Sequence, residues 1–140
     1  MRTFHYIILL AAIVTLVSCK GNKNKIEMDQ EMYNSDQISL MYKGKKVFTF
    51  TEGTMQLGFN RSLKQFRAGN DDMSSYFVIT CNELPTTVGQ EVRGEIKWTS
   101  GSSVKTASGL VFKVEKYEDT GLVWLWCAAD KTGAVVKILN

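Results

Sequence analysis

The sequence predicts an all-β domain, an antiparallel meander of about seven to nine strands forming a small barrel or barrel-like sandwich. Three observations predict it. Beyond residue 45, apolar residues recur at every second position in run after run, the pattern of strands with one buried face. Turns rich in Gly, Asn and Asp separate those runs at intervals of roughly 8–15 residues. No long window beyond the first eighteen residues keeps a 3.6-residue period, so helices contribute little.

The chain begins differently. MRTFH carries Arg2, and Tyr6 to Val17 form an unbroken apolar run, YIILLAAIVTLV. A basic start followed by about 7–15 apolar residues and a small residue makes a secretory signal. The run is too short for a membrane-spanning helix, which needs about 20 apolar residues. Leu16-Val17-Ser18-Cys19 then resembles the lipobox of bacterial lipoproteins with type II signal peptides: aliphatic, tolerant, small, cysteine. The resemblance implies removal of residues 1–18, diacylglycerol on the Cys19 thiol and acylation of the new amino group. Two or three acyl chains hold a protein stably on a membrane. Lys20 stands where the enterobacterial sorting rule has aspartate for inner-membrane retention. The resemblance therefore implies a lipid anchor on the outer membrane facing the periplasm.

Residues 19–37 read as the lipidated cysteine and a flexible tether, and 38–140 as a single β domain. Lys20-Gly21-Asn22-Lys23-Asn24-Lys25 has no apolar periodicity and reads as a solvated spacer. Residues 26–37, IEMDQEMYNSDQ, read as one short helical turn or an extended lead-in. Next, Lys43-Gly44-Lys45 splits a first pair of strands, the second being KKVFTF (45–50). TMQLGFN (54–60) alternates Met55, Leu57 and Phe59 against polar neighbours. Ala68-Gly69-Asn70-Asp71-Asp72 reads as a loop. SYFVITC (75–81), EVRGEIKW (91–98) and GLVFKVEKY (109–117) alternate strictly. GLVWLWCAA (121–129) is apolar throughout, as a strand covered on both faces must be, and AVVKIL (134–139) closes the chain. Asp119-Thr120-Gly121 and Asp130-Lys131-Thr132-Gly133 supply hairpin turns.

Composition excludes several chemistries. The formal charge is +3, and removing Arg2 with the leader leaves +2, too little for a nucleic-acid face. His5, the sole histidine, leaves with the leader. Ser-His-Asp and Cys-His nucleophiles and histidine-containing zinc sites are then unavailable. No P-loop, GxGxxG, GxSxG or CxxC is present, and no cofactor or metal is expected. Asn70-Asp71-Asp72 could offer oxygens to calcium, but lacks the spacing of a calcium loop; turn capping is the alternative. Glu83 with Glu91 could form a carboxylate pair, though nothing else supports one.

Two features remain open. Cys81 and Cys127, exported to an oxidising compartment, form a candidate disulfide or stay free as small buried residues. Trp98, Trp124 and Trp126 lie on strands, and Trp124 and Trp126 share a face. An open face would let these rings stack on a saccharide or peptide ligand; a closed one makes them core. Overall the chain looks like the small β-rich lipoproteins of Gram-negative envelopes. It is expected to be a non-catalytic ligand- or protein-binding module. The alternatives are a structural subunit of an envelope complex and a small carboxylate-dependent hydrolase.

Overall fold

The computed structural model describes residues 26–51 and 55–140. The segment expected to be a leader, Cys19 and the lysines after it lie outside the described residues. A short helix, α1 (Gln30–Asn34), precedes nine strands: β1 (Ser39–Tyr42), β2 (Lys45–Thr49), β3 (Met55–Asn60), β4 (Gln65–Asn70), β5 (Tyr76–Cys81), β6 (Glu91–Ser100), β7 (Ser103–Tyr117), β8 (Leu122–Cys127) and β9 (Thr132–Lys137). They form one sheet in the order β2-β1-β9-β8-β7-β6-β5-β4-β3. From β3 to β9 it is a plain meander. The β1–β2 hairpin folds back and joins beside β9. The sheet curls into a half-barrel.

Alternation along the strands builds the interior. Phe66 and Ala68 of β4, Phe77 and Ile79 of β5, Phe112 and Val114 of β7, and Leu125 of β8 all point into one core. Rings from facing parts of the curl meet there: Phe50 and Phe77 lie 6.1 Å apart, Tyr42 and Trp98 4.6 Å. Side chains fill the curl, so it holds a packed core rather than a lumen.

Strand parity explains why the ring stays open. Nine successively antiparallel strands leave the two end strands, β2 and β3, running in the same direction. Parallel neighbours need a crossover of roughly a dozen residues or more. Only five residues, 50–54, separate β2 from β3. The link is too short to set them side by side, so β2 and β3 each keep an unpaired edge.

The outer face of β8 and β9 is covered as well. α1 lies across it, with Met28 and Met32 packed on Met41, Trp124, Trp126 and Val135. Asp29 caps the helix, its carboxylate accepting from the Met32 N–H at 3.0 Å. Trp124 Nε1 donates to the carbonyls of Met32 and Ser35, each at 3.1 Å. Lys116 Nζ sits 4.4 Å from the Trp124 ring and donates to the Tyr33 carbonyl at 3.2 Å. A five-residue helix has no stability alone. These contacts hold it.

Three sequence expectations change. Residues 26–37 are a packed strap on the domain, not part of a loose tether, because Met28 and Met32 have two tryptophans to bury against. Residues 65–70 form β4 where a loop was expected from residue 68. Ala68 and Gly69 are buried between β3 and β5, and Gly69 is needed because a Cβ there would meet the Ser75 carbonyl at 2.9 Å. β7 starts six residues before the expected boundary, paired with β6 from Ser103 onward. β8 takes up its pairing only from Lys113.

Candidate functional site

Trp124 and Trp126 share the outer face of β8, and Leu125 and Cys127 face inward, as the two-residue period requires. The ligand-stacking role does not fit any of the three tryptophans. Trp98, Trp124 and Trp126 are 4%, 0% and 5% exposed. Tyr42 packs against Trp98, and the α1 strap covers the other two. No ring face is left for a saccharide or peptide.

The candidate disulfide is not formed. Cys81 and Cys127 are free and buried. They sit on β5 and β8, three strands apart. At about 4.8 Å per strand that is roughly 14 Å along the sheet, twice the Cα separation a disulfide tolerates. Burial pushes the Cys81 thiol up to about 12, the opposite of what a nucleophile needs.

Asn70, Asp71 and Asp72 do turn chemistry. The Asp72 carboxylate accepts from the Ser74 N–H at 3.0 Å, and bonds from the Ser74 side chain and backbone hold its pKa below the ordinary value. Asn70 Oδ1 accepts from the Ser75 N–H, and the Asp71 carbonyl accepts from Gln56 Nε2. Among the described residues no three His, Cys, Asp or Glu side chains gather as metal ligands would. Glu91 lines a notch with Gly109 and Val111, whereas Glu83 lies 3.5 Å from Gln90 Nε2 and outside that notch.

A recess with room for a ligand is at the open end of the curl. A recess of about 550 Å³ lies among the start of β1, the chain after β2, the start of β3, the β7–β8 turn and the end of β9. Ile38, Phe50, Met55, Leu57 and Leu122 supply its apolar lining; Asp36, Gln37, Thr51, Glu118, Thr120 and Lys137 supply polar groups. Backbone bonds fix its walls. The Phe50 N–H donates to the Ile38 carbonyl at 3.0 Å, which holds Phe50 across the end of the core. The β7–β8 turn is closed by Gly121 N–H to the Glu118 carbonyl at 2.8 Å. Gly121 itself has φ +99, and a Cβ there would run into the Ile138 carbonyl, so only glycine serves. Glu118 Oε2 lies 4.0 Å from Lys116 Nζ at the rim.

Two of the lining residues belong to a sheet edge. Met55 and Leu57 point inward from β3 and are half-buried, because β3 has a neighbour on one side only. A recess with an apolar floor and a polar rim of similar extent, beside an unpaired strand edge, suits an extended segment with an apolar side chain. Sequence reasoning missed this site. Met55 and Leu57 carried a strand signal, but alternation does not say which strand ends a sheet.

No protein-family model matches the chain. No curated protein and no solved structure matches it either.

Proposed function

We propose that this chain is a lipid-anchored module of the bacterial envelope that binds an extended, apolar-anchored segment of a partner protein and catalyses nothing. The anchor is read from Leu16-Val17-Ser18-Cys19 at the end of the apolar run. The case against catalysis rests on a chain without histidine after residue 5 and a thiol that burial keeps protonated. The observation that carries the binding reading is the junction of an unpaired strand, β3, with the 550 Å³ recess its own side chains line. Backbone groups of β3 would hold the incoming segment, and the recess would select its apolar side chain.

The test uses the neutral apolar dye N-phenyl-1-naphthylamine. Saturable fluorescence gain on the folded protein is expected. Extended peptides with an apolar centre should displace the dye, and Thr120→Trp, which adds bulk at the exposed rim, should weaken binding at least tenfold. Dye binding that Thr120→Trp leaves unchanged, or that appears only on unfolding, would overturn the assignment.

A further inference from the structure

We infer that the segment taken up by β3 carries an acidic residue on its outer face, and that Arg67 receives its carboxylate across Gly58. The inference rests on the strand-addition reading above and names the chemistry of the incoming segment.

Hydrogen-bond parity fixes what β3 has to offer. The Asn70 N–H donates to the Ser75 carbonyl and the Cys81 N–H to the Lys64 carbonyl, each at 2.9 Å. Even-numbered residues of β4 therefore bond to the β5 side. The odd ones, Gln65, Arg67 and Gly69, bond to Asn60, Gly58 and Gln56 of β3. Left over at the open edge are the N–H and C=O groups of Met55, Leu57 and Phe59, whose side chains point into the core. A strand added antiparallel, like every neighbouring pair in this sheet, bonds to those groups. Its side chains opposite Leu57 and Phe59 turn inward. The one between them lies on the outer face, opposite Gly58.

Gly58 opens that position. Its backbone does not need glycine: φ lies outside the left-handed region, and the atoms nearest to a Cβ there, all from Arg67, begin at 3.5 Å. Glycine inside a strand weakens it and often marks close approach by another group. Here that group is the Arg67 stem. Arg67 Cβ and Cδ lie 3.5 and 3.6 Å from the Cβ position at Gly58, so the stem leans across β3 toward the open edge. Arg67 is exposed, and among the described residues it has no ion pair. An arginine and a carboxylate make directed, charge-assisted bonds. The added strand lies two spacings from β4, about 9.6 Å, which an arginine and a glutamate side chain span together.

The hairpin around Gly58 is basic. From Met55 to Asn70 the chain carries Arg61, Lys64 and Arg67 and no acid. On the outer face Lys97 stands in the same row as Arg67, with Val78 between them. The acids nearby are placed otherwise. Asp71 and Asp72 follow at the Met55 end of the hairpin, where Asp72 is bonded to Ser74. Glu83 lies against Gln90. Glu95 is two strands from Arg67, between Arg93 and Lys97 on β6. The two end strands also differ. β2 carries Lys45 and Lys46, charges that discourage strand pairing, whereas β3 has no charged residue.

The experiment measures fluorescence anisotropy of labelled heptapeptides on the full chain. Isoleucine stands at positions two, four and six, position three is glutamate, glutamine or lysine, and threonine fills the rest. The glutamate peptide should bind about fivefold more tightly than the glutamine peptide, and the lysine peptide should bind most weakly. Arg67→Gln should abolish the preference and leave the glutamine peptide unaffected, which also shows that the site is folded. Arg67→Glu should turn the preference toward lysine. Equal binding of the three peptides to the unaltered chain, or a glutamate preference that survives Arg67→Gln, sinks the acidic assignment. Thr120→Trp separates the two readings. If the peptides bind equally and it weakens them all, segment binding stands and the charge selection falls. If no peptide binds, or Thr120→Trp changes nothing, both fall.

Discussion

Met32→Ala should free the strap while leaving the barrel folded. Met32 is 1% exposed, wedged against Trp124 and Trp126. Truncation removes three heavy atoms, worth about 2.4 kcal/mol at ~0.8 kcal/mol per methylene. The unfilled space adds to this, giving about 3 kcal/mol within the range of ~2–5 for buried Met→Ala changes. What holds the strap otherwise is small. Met28 contributes its own burial, the two Trp124 bonds about 1 kcal/mol each, and the exposed Glu31–Lys46 pair under about 1 kcal/mol. Against them stands backbone ordering of roughly 1–2 kcal/mol per residue. Losing 3 kcal/mol from so narrow a balance releases residues 26–37. Hydrogen-exchange mass spectrometry should show the peptide covering Met32 and Tyr33 losing protection. Tryptophan emission should shift to the red as Trp124 and Trp126 meet water, while β5 and β6 amides stay protected. If the variant instead loses protection everywhere in one step, the strap is part of the global cooperative unit and this reasoning fails.

Three further outcomes are expected. Asp29→Ala removes the carboxylate that caps α1 and should cost about 1 kcal/mol, read as faster exchange at Met32 and Tyr33 alone. Cys81 should resist alkylation of the native protein at pH 9. The folded thiol keeps its proton to about 12 and the unfolded one releases it near 9.0, so the folded state binds the extra proton between those values. Stability from this group is therefore intact below pH 9 and falls as pH rises toward 12, which urea titrations at pH 8 and 10.5 would show; equal midpoints would refute it. Gly133→Ala should destabilise by about 1–3 kcal/mol, since the new Cβ would meet Trp126 Cε3 at 2.5 Å and the Leu125 carbonyl. An unchanged midpoint in thermal unfolding would mean that the ring moves freely aside.

The strands were legible where the two faces differ. β5 and β6 begin within a residue of the expected positions because Phe77, Ile79, Val92, Ile96 and Trp98 alternate with polar neighbours. The double cover on β8 was also legible, since Trp124 and Trp126 between Val123, Leu125 and Cys127 leave no wet face. Its source was not. Met28 and Met32 sit among eight polar residues, and their burial depends on a surface almost a hundred residues later. β4 was hidden because Arg67, Gly69 and Asn70 are weak strand formers, tolerated here by neighbours on both sides. The recess could not be read at all. It exists because nine strands and a five-residue link leave a curl unclosed, a property of the whole sheet that no single segment carries. The half-barrel itself answers to the expected class.

Any pull on the chain ahead of Ile26 is borne first by the strap, since that segment lies flat on β8 and β9. Such a load peels it residue by residue, meeting Met28 before Met32 and the indole of Trp124 last. Each contact let go pays out slack. Twelve residues, 26–37, would lengthen the leash by up to about 40 Å while the half-barrel behind it stays intact. The strap is in this sense stored rope, and the sulfur–indole packing sets the tension at which it runs.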